Sequence, residues 1–302
     1  MSFHAGGKVI LFGEHAVVYG HPALAAGIAL GVTARVEAAE SSRMCVEPWG
    51  LDLGIDDDSP LARAFAALMT SYEGAAQLDL QVDLPGGAGL GCSAAMGVAA
   101  CGALDAHFGV ERSPEERGEH TLRWEKVFHG NPSGVDNMMA SCGGVAIYRK
   151  GKPLERITPR KPLPLVIAHS GESSSTKEVV EMVARQHARE TERVDEAFDA
   201  IDTLIRNAKL ALEAGDTKSV GQLMTLNQRL LASLMLSTEK IETLCRAAEE
   251  AGALGAKLTG AGAGGCVIAL AEDDDHLVEV EAAMRPHASM TFATHAGVRA
   301  SS

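Results

Sequence analysis

The chain has 302 residues, of which 46 % are hydrophobic and 22 % charged, and it carries a formal net charge of −13. This length suits two domains with a large core, whereas the acidic balance argues against a nucleic-acid or anionic-membrane surface, because such surfaces need clustered Lys and Arg. No stretch approaches the roughly 20 apolar residues of a membrane span, and the start MSFHAGGKVILFGEH lacks the features of a secretory signal, so we expect a cytoplasmic protein.

The first half of the chain alternates apolar runs with helical segments. Strands are predicted for the apolar or alternating runs KVILF (8–12), VTARVEA (32–38), LDLQVDL (78–84) and GGVAIY (143–148). Helices are predicted to begin at Ser59-Pro60, at about Ala94 and at the capping-box spacing from Ser113 to Glu116.

The basic, proline-rich stretch KGKPLERITPRKPLPL separates this half from the next. We place a domain boundary there, giving domains 1–158 and 159–302. The second half opens with the strand LPLVIAHS and then turns strongly helical. It returns to strand and helix signals in GAKLT, CVIALA, DDHLVEVEAAMR and SMTFAT, so we expect helices combined with a small sheet.

A glycine-rich loop, GGAGLGCS (86–93), lies between the strand 78–84 and the following helix. Its outline is that of a phosphate-binding P-loop, with Cys92 in the place of the lysine, and it matches a dinucleotide fingerprint less well. Glycines let backbone N–H groups approach phosphate oxygens, and a helix start adds positive potential. Ser93 can offer a hydroxyl to Mg²⁺. The alternative is a tight turn without a ligand.

Several polar residues elsewhere are candidates for chemistry, each with an ordinary structural alternative. Lys8 opens an apolar strand, where a lysine is usually a solvated end residue unless it turns into a cleft to meet an anion. Glu14 and His15 follow that strand and can line a site or a solvated turn. Asp136 follows a turn and is either a helix N-cap or an acid–base group. Glu125 alone would be read as surface charge.

Taken together, GGAGLGCSAA, HGNPSGVD (129–136) and KLTGAGAGG (257–265) resemble the GHMP kinase superfamily. KVILFGEHAVVYG with HGNPSGVD resembles the mevalonate kinase family in particular, since galactokinases usually carry GEHTDY-like sequence and diphosphomevalonate decarboxylases a YWGK-like one. The likeness runs from Lys8 to about Leu270 and is weakest between residues 40 and 75. It implies an α+β, two-domain GHMP kinase fold, with an N-terminal ribosomal protein S5 domain 2-like domain and a C-terminal ferredoxin-like α/β domain with added helices.

The resemblance also implies an activity, ATP-dependent phosphorylation of the terminal hydroxyl of mevalonate. Asp136 falls on the catalytic aspartate, which accepts the proton of that hydroxyl, and Lys8 falls on the lysine that keeps this aspartate ionised. Ser93 and Glu125 fall on the Mg²⁺ ligands. ATP binding falls on the loop formed by Pro85, Gly86, Gly87, Ala88, Gly89, Leu90, Gly91, Cys92 and Ser93.

Four further residues match family positions near the substrate: Glu14, His15, Tyr148 and Thr176. For Thr176 a structural role competes, because Ser175 to Glu178 also reads as a helix start. The KLTGAGAGG segment matches a motif whose turn packs beside the phosphate loop. The family often dimerises, so a homodimer is one expected assembly.

Two departures and two rival functions accompany the resemblance. Cys92 replaces a serine common at this loop position, and a thiol is a weak hydrogen-bond donor. The chain is also short beside animal mevalonate kinases. The first rival is another small-alcohol kinase of the superfamily, acting on homoserine, on phosphomevalonate or at the 3-hydroxyl of mevalonate. The second is a non-catalytic protein of the same fold that senses a metabolite.

Overall fold

The first of two sheets is built from seven strands that precede residue 158. A computed structural model describes residues 2–130 and 132–297; Asn131, inside the predicted motif HGNPSGVD, lies outside the described residues. The strands are β1 (Ser2–Phe12), β2 (Ala23–Ala38), β3 (Arg43–Val46), β4 (Leu51–Gly54), β5 (Ala76–Val82), β6 (Val145–Tyr148) and β7 (Glu155–Ile157). Their order is β4-β3-β5-β2-β6-β7, with β1 paired to β2.

Five helices accompany this sheet. They are α1 (Pro60–Met69), α2 (Cys92–Phe108), α3 (Pro114–His120), α4 (Leu122–His129) and α5 (Val135–Cys142). The predicted starts of α1 and α3 are confirmed, since Ser59 Oγ accepts from the Ala62 N–H at 3.1 Å and Ser113 with Glu116 forms a full capping box. The helix α2 is buried along nearly its whole length against the sheet.

The second sheet has four antiparallel strands and five helices. The strands are β8 (Leu163–His169), β9 (Gly255–Thr259), β10 (Cys266–Leu270) and β11 (Met290–Ala296), in the order β11-β8-β10-β9. The helices are α6 (Thr176–Arg189), α7 (Thr191–Ala214), α8 (Thr217–Ser233), α9 (Glu239–Glu250) and α10 (Asp274–Met284). The chain order is the βαββαβ of the expected ferredoxin-like unit, with extra helices between β8 and β9, so the α+β prediction is confirmed.

The predicted elements are present, but several boundaries differ; β5, for example, runs from Ala76 to Val82 rather than over 78–84. β1 begins six residues before Lys8, and β2 begins at Ala23, nine residues before the predicted start. The start of β2, ALAAGIALG, is an apolar run that is buried at nearly every position, so both of its faces are covered and it shows no alternation. α2 begins at Cys92 rather than Ala94 because Gly91, with φ +75°, forms its N-cap.

The two sheets meet where the end of β1 approaches β9. The Ile10 N–H donates to Thr259 Oγ1 at 2.9 Å across this seam. The chain leaves the first sheet at Ile157 and enters the second at Leu163, and we propose the domain division near residue 158 on that ground.

None of the helices within residues 2–130 and 132–297 combines the length and apolar character needed to cross a bilayer.

Candidate active site

The glycine-rich loop lies at the seam, between β5 and α2. Gly87, Gly89 and Gly91 have φ values of +71°, +78° and +75°, a region that residues with a Cβ rarely adopt. The loop is also tightly packed, since a Cβ on Gly89 would lie 3.2 Å from the Thr259 carbonyl oxygen, and one on Gly260 would lie 3.1 Å from the Gly89 Cα. The KLTGAGAGG turn therefore contacts the phosphate loop directly.

Lys8 lies beneath this loop and is 2 % exposed. Its Nζ lies 3.1 Å from Asp136 Oδ1 and donates to the Gly89 carbonyl oxygen at 3.0 Å. A Cβ on Gly91 would lie 3.2 Å from Lys8 Cγ, so the glycine leaves room for the lysine stem. Because β1 begins well before it, Lys8 is an interior residue rather than a solvated strand end.

Asp136 is the second residue of α5, and the Gly134 before that helix has φ +91°. Its side chain retains 36 % exposure and contacts Lys8. Asp136 does not act as an N-cap, since Gly134 occupies that position. The structure thus brings together Lys8 and Asp136, which are 128 residues apart in sequence.

Ser93, at the start of α2, lies against Glu125 of α4. Ser93 Oγ donates to Glu125 Oε1, and His129 Nε2 lies 3.4 Å from Glu125 Oε2. Burial raises the pKa of Glu125 to about 7, and the charge of Asp136 adds to this, whereas the Ser93 hydrogen bond and Lys8 oppose it. Glu125 is therefore a carboxyl whose burial outweighs the opposing effects of Ser93 and Lys8.

A hard divalent cation suits this pair. Mg²⁺ prefers oxygen ligands and is usually held by one or two carboxylates together with substrate phosphates and water. The described residues contain no cluster of three or more His, Cys, Asp or Glu suited to a metal. Ser93 and Glu125 fit a Mg²⁺ that arrives with a nucleotide, rather than one held by a protein cage.

Two adjoining cavities meet at Asp136. The phosphate cavity, of about 400 Å³, is bounded by the loop, the start of α2 and the start of α6; its polar lining includes Ser93, Glu125, His129, Ser174 and Lys177. The acceptor cavity, of about 120 Å³, is lined by Lys8, Glu14, His15, Val17, Val135 and Val180 among others. Gly89, Asp136 and Thr176 line both cavities. A group bound in one cavity can therefore react with a group bound in the other.

Glu14 and His15 line the acceptor cavity, but their polar atoms are largely engaged with the second sheet. Glu14 Oε1 accepts from Lys257, and its Oε2 accepts from Asn227 Nδ2 at 3.2 Å. His15 Nε2 donates to the Ala261 carbonyl oxygen at 2.7 Å, and burial lowers the pKa of His15. The imidazole is then neutral at pH 7 and keeps Nδ1 as an acceptor.

Tyr148 lies outside the acceptor cavity, whereas Thr176 lies on its wall. The Tyr148 hydroxyl donates to the Ser133 carbonyl oxygen at 2.6 Å, and Tyr148 lines a separate cavity rather than the phosphate or acceptor cavity. Thr176 is the first residue of α6 and lines both cavities. Ser175, not Thr176, caps this helix by accepting from the Glu178 N–H at 3.5 Å.

Cys92 is turned toward the core. Its thiol lies 3.9 Å from the Leu84 carbonyl oxygen, and burial raises its pKa to about 11, with Glu125 adding to the effect. The thiol therefore stays protonated at neutral pH. The side-chain hydroxyl that this turn presents to the phosphate cavity is that of Ser93.

Sequence reasoning missed three residues that hold the site in place: Lys257, Thr259 and Asn227. Lys257 and Thr259 belong to β9, in which every residue is buried. The sequence does contain a signal for Lys257 and Thr259. Two polar residues spaced two apart in a fully buried strand point to the same face, where they must find hydrogen-bond partners. The partners themselves lie more than 240 residues away on β1 and the turn that follows it.

Comparisons with known proteins find similar sequences and similar folds. A family model for the GHMP kinases N terminal domain matches residues 60–144, and one for the GHMP kinases C terminal matches residues 208–288. The mevalonate kinase of Thermococcus sibiricus is 35 % identical over 96 % of this chain and 94 % of its own length. The solved L. major mevalonate kinase in complex with R-mevalonate has 26 % identity and a TM-score of 0.88, covering 100 % of this chain and 97 % of its own. The Methanococcus jannaschii mevalonate kinase has 25 % identity and a TM-score of 0.85, covering 100 % and 98 %.

Proposed function

The chain belongs to the mevalonate kinase family of the GHMP kinases, and we propose that it transfers the γ-phosphoryl group of ATP to the terminal hydroxyl of (R)-mevalonate. The products are (R)-5-phosphomevalonate and ADP, a step of isoprenoid biosynthesis by the mevalonate pathway. The observation that carries the proposal is the contact of Lys8 with Asp136 at the junction of the phosphate and acceptor cavities.

The mechanism follows from what phosphoryl transfer requires. The reaction needs alignment of the nucleophile with the phosphate and neutralisation of the charge on the transferring group. The loop N–H groups and the start of α2 bind and orient the phosphates in the phosphate cavity. Asp136 accepts the proton of the hydroxyl held in the acceptor cavity. Lys8, held by the Gly89 carbonyl oxygen, places its positive charge beside both groups.

Mg²⁺ is the proposed cofactor alongside ATP. Ser93 Oγ and Glu125 Oε1 are the protein oxygens that would hold it, for the reasons of donor chemistry given above. When bound, the ion neutralises phosphate charge.

The lining of the acceptor cavity favours mevalonate over the rival acceptors. Lys8 is the only lysine or arginine among the cavity-lining residues, and His15 is neutral. A phosphorylated substrate, whose phosphate carries about 1.5–2 negative charges, therefore finds less compensation than mevalonate with its single carboxylate. The ammonium group of homoserine would need a free carboxylate. Both Glu14 oxygens already accept hydrogen bonds, so that residue does not offer one. A non-catalytic sensor does not need a proton-accepting carboxylate, whereas a kinase does, so the Lys8–Asp136 contact favours the kinase.

A panel of alcohols tests the proposal. Purified protein with Mg-ATP is assayed for ADP release with mevalonate, homoserine, galactose and 5-phosphomevalonate as acceptors. We expect kcat/KM for mevalonate to exceed that for each of the others by a wide margin. A preference for any of the other three would overturn the assignment.

The cellular location and the oligomeric state of the protein are also proposals. We infer a cytoplasmic enzyme, because its proposed phosphoryl donor ATP is a cytoplasmic metabolite, and a homodimer, because the family often dimerises.

Glu125 gives a prediction about stability and pH in the absence of Mg²⁺. Its pKa is raised in the folded protein from 4.5 to about 7, so the folded state holds its proton more tightly than the unfolded state. The stabilising contribution is then fully present below pH 4.5 and is lost as the pH rises through about 7. It corresponds to at most about 3 kcal/mol of the free energy of unfolding.

Glu125→Gln removes this titration while keeping a polar partner for Ser93. Without Mg²⁺, we expect the variant to be more stable than the wild type at pH 8, by up to about 3 kcal/mol, with a much smaller difference at pH 5. Urea unfolding at the two pH values measures this. Addition of Mg-ATP should stabilise the wild type more than the variant. A variant that is less stable than the wild type at pH 8 would contradict the raised pKa.

A further inference from the structure

Two side chains of β9 face the end of β1 across the seam between the sheets. Lys257 and Thr259 are two residues apart and therefore share one face of the strand. Thr259 Oγ1 accepts from the Ile10 N–H at 2.9 Å, and Lys257 Nζ donates to the Ile10 carbonyl oxygen at 3.3 Å. The first sheet is thus anchored to the second at one residue of β1.

Lys257 is fully buried and has an acceptor for each of its ammonium protons. These acceptors are Glu14 Oε1, the Ile10 carbonyl oxygen and the Leu258 carbonyl oxygen at 2.5 Å. A lysine with three acceptors is satisfied as the charged form, which has three donors. Glu14 is the one carboxylate among them, so it supplies the counter-charge inside the protein.

Glu14 also lies on the wall of the acceptor cavity. A carboxylate there would repel an acceptor that carries its own carboxylate, unless a positive charge cancels it. Lys257 lies on the far side of Glu14 and is not among the residues that line the cavity. It can therefore compensate Glu14 without itself binding the acceptor.

The same network fixes the position of His15. This residue has φ +60°, a conformation that is strained for a side chain with a Cβ and that persists only when contacts enforce it. Glu14 accepts hydrogen bonds from Lys257 of β9 and Asn227 of α8, and His15 donates to the Ala261 carbonyl oxygen, so the second half of the chain holds the turn through both residues.

We infer that Lys257 is a specificity-determining residue, which cancels the charge of Glu14 and so allows the acceptor cavity to take an anionic alcohol. The inference rests on the proposed function, because mevalonate is the anionic alcohol in question. Lys257 acts through Glu14 and is a positioning residue rather than a catalytic one. Glu14, on this account, is part of the cavity wall and does not bind the acceptor directly.

The test compares mevalonate with its neutral analogue 3-methylpentane-1,3,5-triol, which keeps the hydroxyl groups and replaces the carboxylate with an alcohol. In Lys257→Met we expect the KM for mevalonate to rise by about tenfold or more, as like charges at close range imply. The KM for the triol and the KM for ATP should stay within about threefold. The double variant E14Q/K257M removes both charges and should restore the mevalonate KM.

The pH must be varied because a buried carboxyl that loses its counter-charge has a raised pKa. The other charged or titratable groups around the pair are Lys8, His15, Asp136 and Cys245. Between pH 6.5 and 9.5, the KM for mevalonate should increase with pH in K257M as Glu14 ionises. It should not increase in this way in the wild type or in E14Q/K257M.

A matched control is the exposed pair of Lys209 with Glu155, which also joins the second half of the chain to the first sheet. Lys209→Met should leave all three KM values within about twofold of the wild type. If K257M does not fold, E14Q carries the test: its KM for mevalonate relative to the triol should stay equal or fall, and a rise would overturn the inference.

The outcomes separate this inference from the proposed function. Failure of the wild type to phosphorylate mevalonate would reject the proposed function alone. A folded K257M with an unchanged ratio of mevalonate KM to triol KM across the pH range would reject the role of Lys257 alone. The same holds if both KM values rise together, because that result would indicate a general disturbance of the cavity.

Discussion

Replacing Asp136 with asparagine should lower kcat for mevalonate phosphorylation by about 10²–10⁴-fold, the usual contribution of a positioned acid–base group. Asparagine has the same shape and keeps a polar contact for Lys8, but it does not accept the proton of the substrate hydroxyl. Binding should change far less than turnover, since the phosphate loop and most of the acceptor cavity are untouched. Steady-state kinetics with mevalonate and ATP measure both quantities.

A control must separate the chemistry from the effect of removing a negative charge at a helix start. Asp274 is suitable because it also lies in the first turn of a helix and also has an ionisable partner, His295, at 2.7 Å. Asp274→Asn should cost no more than about 1 kcal/mol in stability and leave kcat unchanged. If D136N keeps its fold and stays within tenfold of the wild-type kcat, Asp136 is not the proton acceptor.

Lys8→Met should lower kcat by about 10²–10³-fold, the effect typical of removing one group that stabilises charge in a transition state. Methionine fills most of the space of the lysine stem beside Gly91 but leaves the transferring group without its protein cation. The KM for ATP should also rise, because the lysine holds the Gly89 carbonyl oxygen and with it the phosphate loop. Kinetics with both substrates varied test the two effects separately.

The two substitutions should not add, because Lys8 and Asp136 act on the same hydroxyl. The double variant is expected to have a kcat close to that of the worse single variant.

The loss of stability should be smaller when Lys8 is replaced by methionine than when Lys257 is. Asp136 remains partly exposed and hydrated when Lys8 is lost, whereas loss of Lys257 leaves Glu14 buried without a counter-charge, which typically costs about 3–5 kcal/mol. Similar stability losses in K8M and K257M would contradict the burial described here.

The fold could be predicted where the chain obeys a single local pattern. The alternation in 78–84, the proline at the start of α1 and the capping box of α3 all report on neighbouring residues, and the structure confirms these elements. The start of β2 was missed because both of its faces are buried and its residues are apolar at every position, so the run shows no alternation. The β3–β4 hairpin lies in the region where the family resemblance is weakest.

The motif resemblance predicted the residues of the site but only some of the contacts between them. It named Lys8 and Asp136 and implied that they act together, and the structure places Lys8 Nζ 3.1 Å from Asp136 Oδ1. The same resemblance placed Glu14 with the substrate. Its ion pair with Lys257 depends on how two sheets meet, and no local pattern in GEHAVVYG indicates a partner 243 residues away. Local propensity carries no information about such pairs.

The central claim is that this site transfers phosphate to the terminal hydroxyl of mevalonate, and the position of phosphate in the product tests it most directly. The wild-type protein is incubated with Mg-ATP and (R)-mevalonate, and the product is examined by ³¹P NMR with and without proton coupling. We predict a phosphate signal split by the two protons of the terminal CH₂, as in 5-phosphomevalonate. A phosphate signal without that splitting, as the tertiary 3-phosphate would give, or no phosphorylated product at all, would contradict the account.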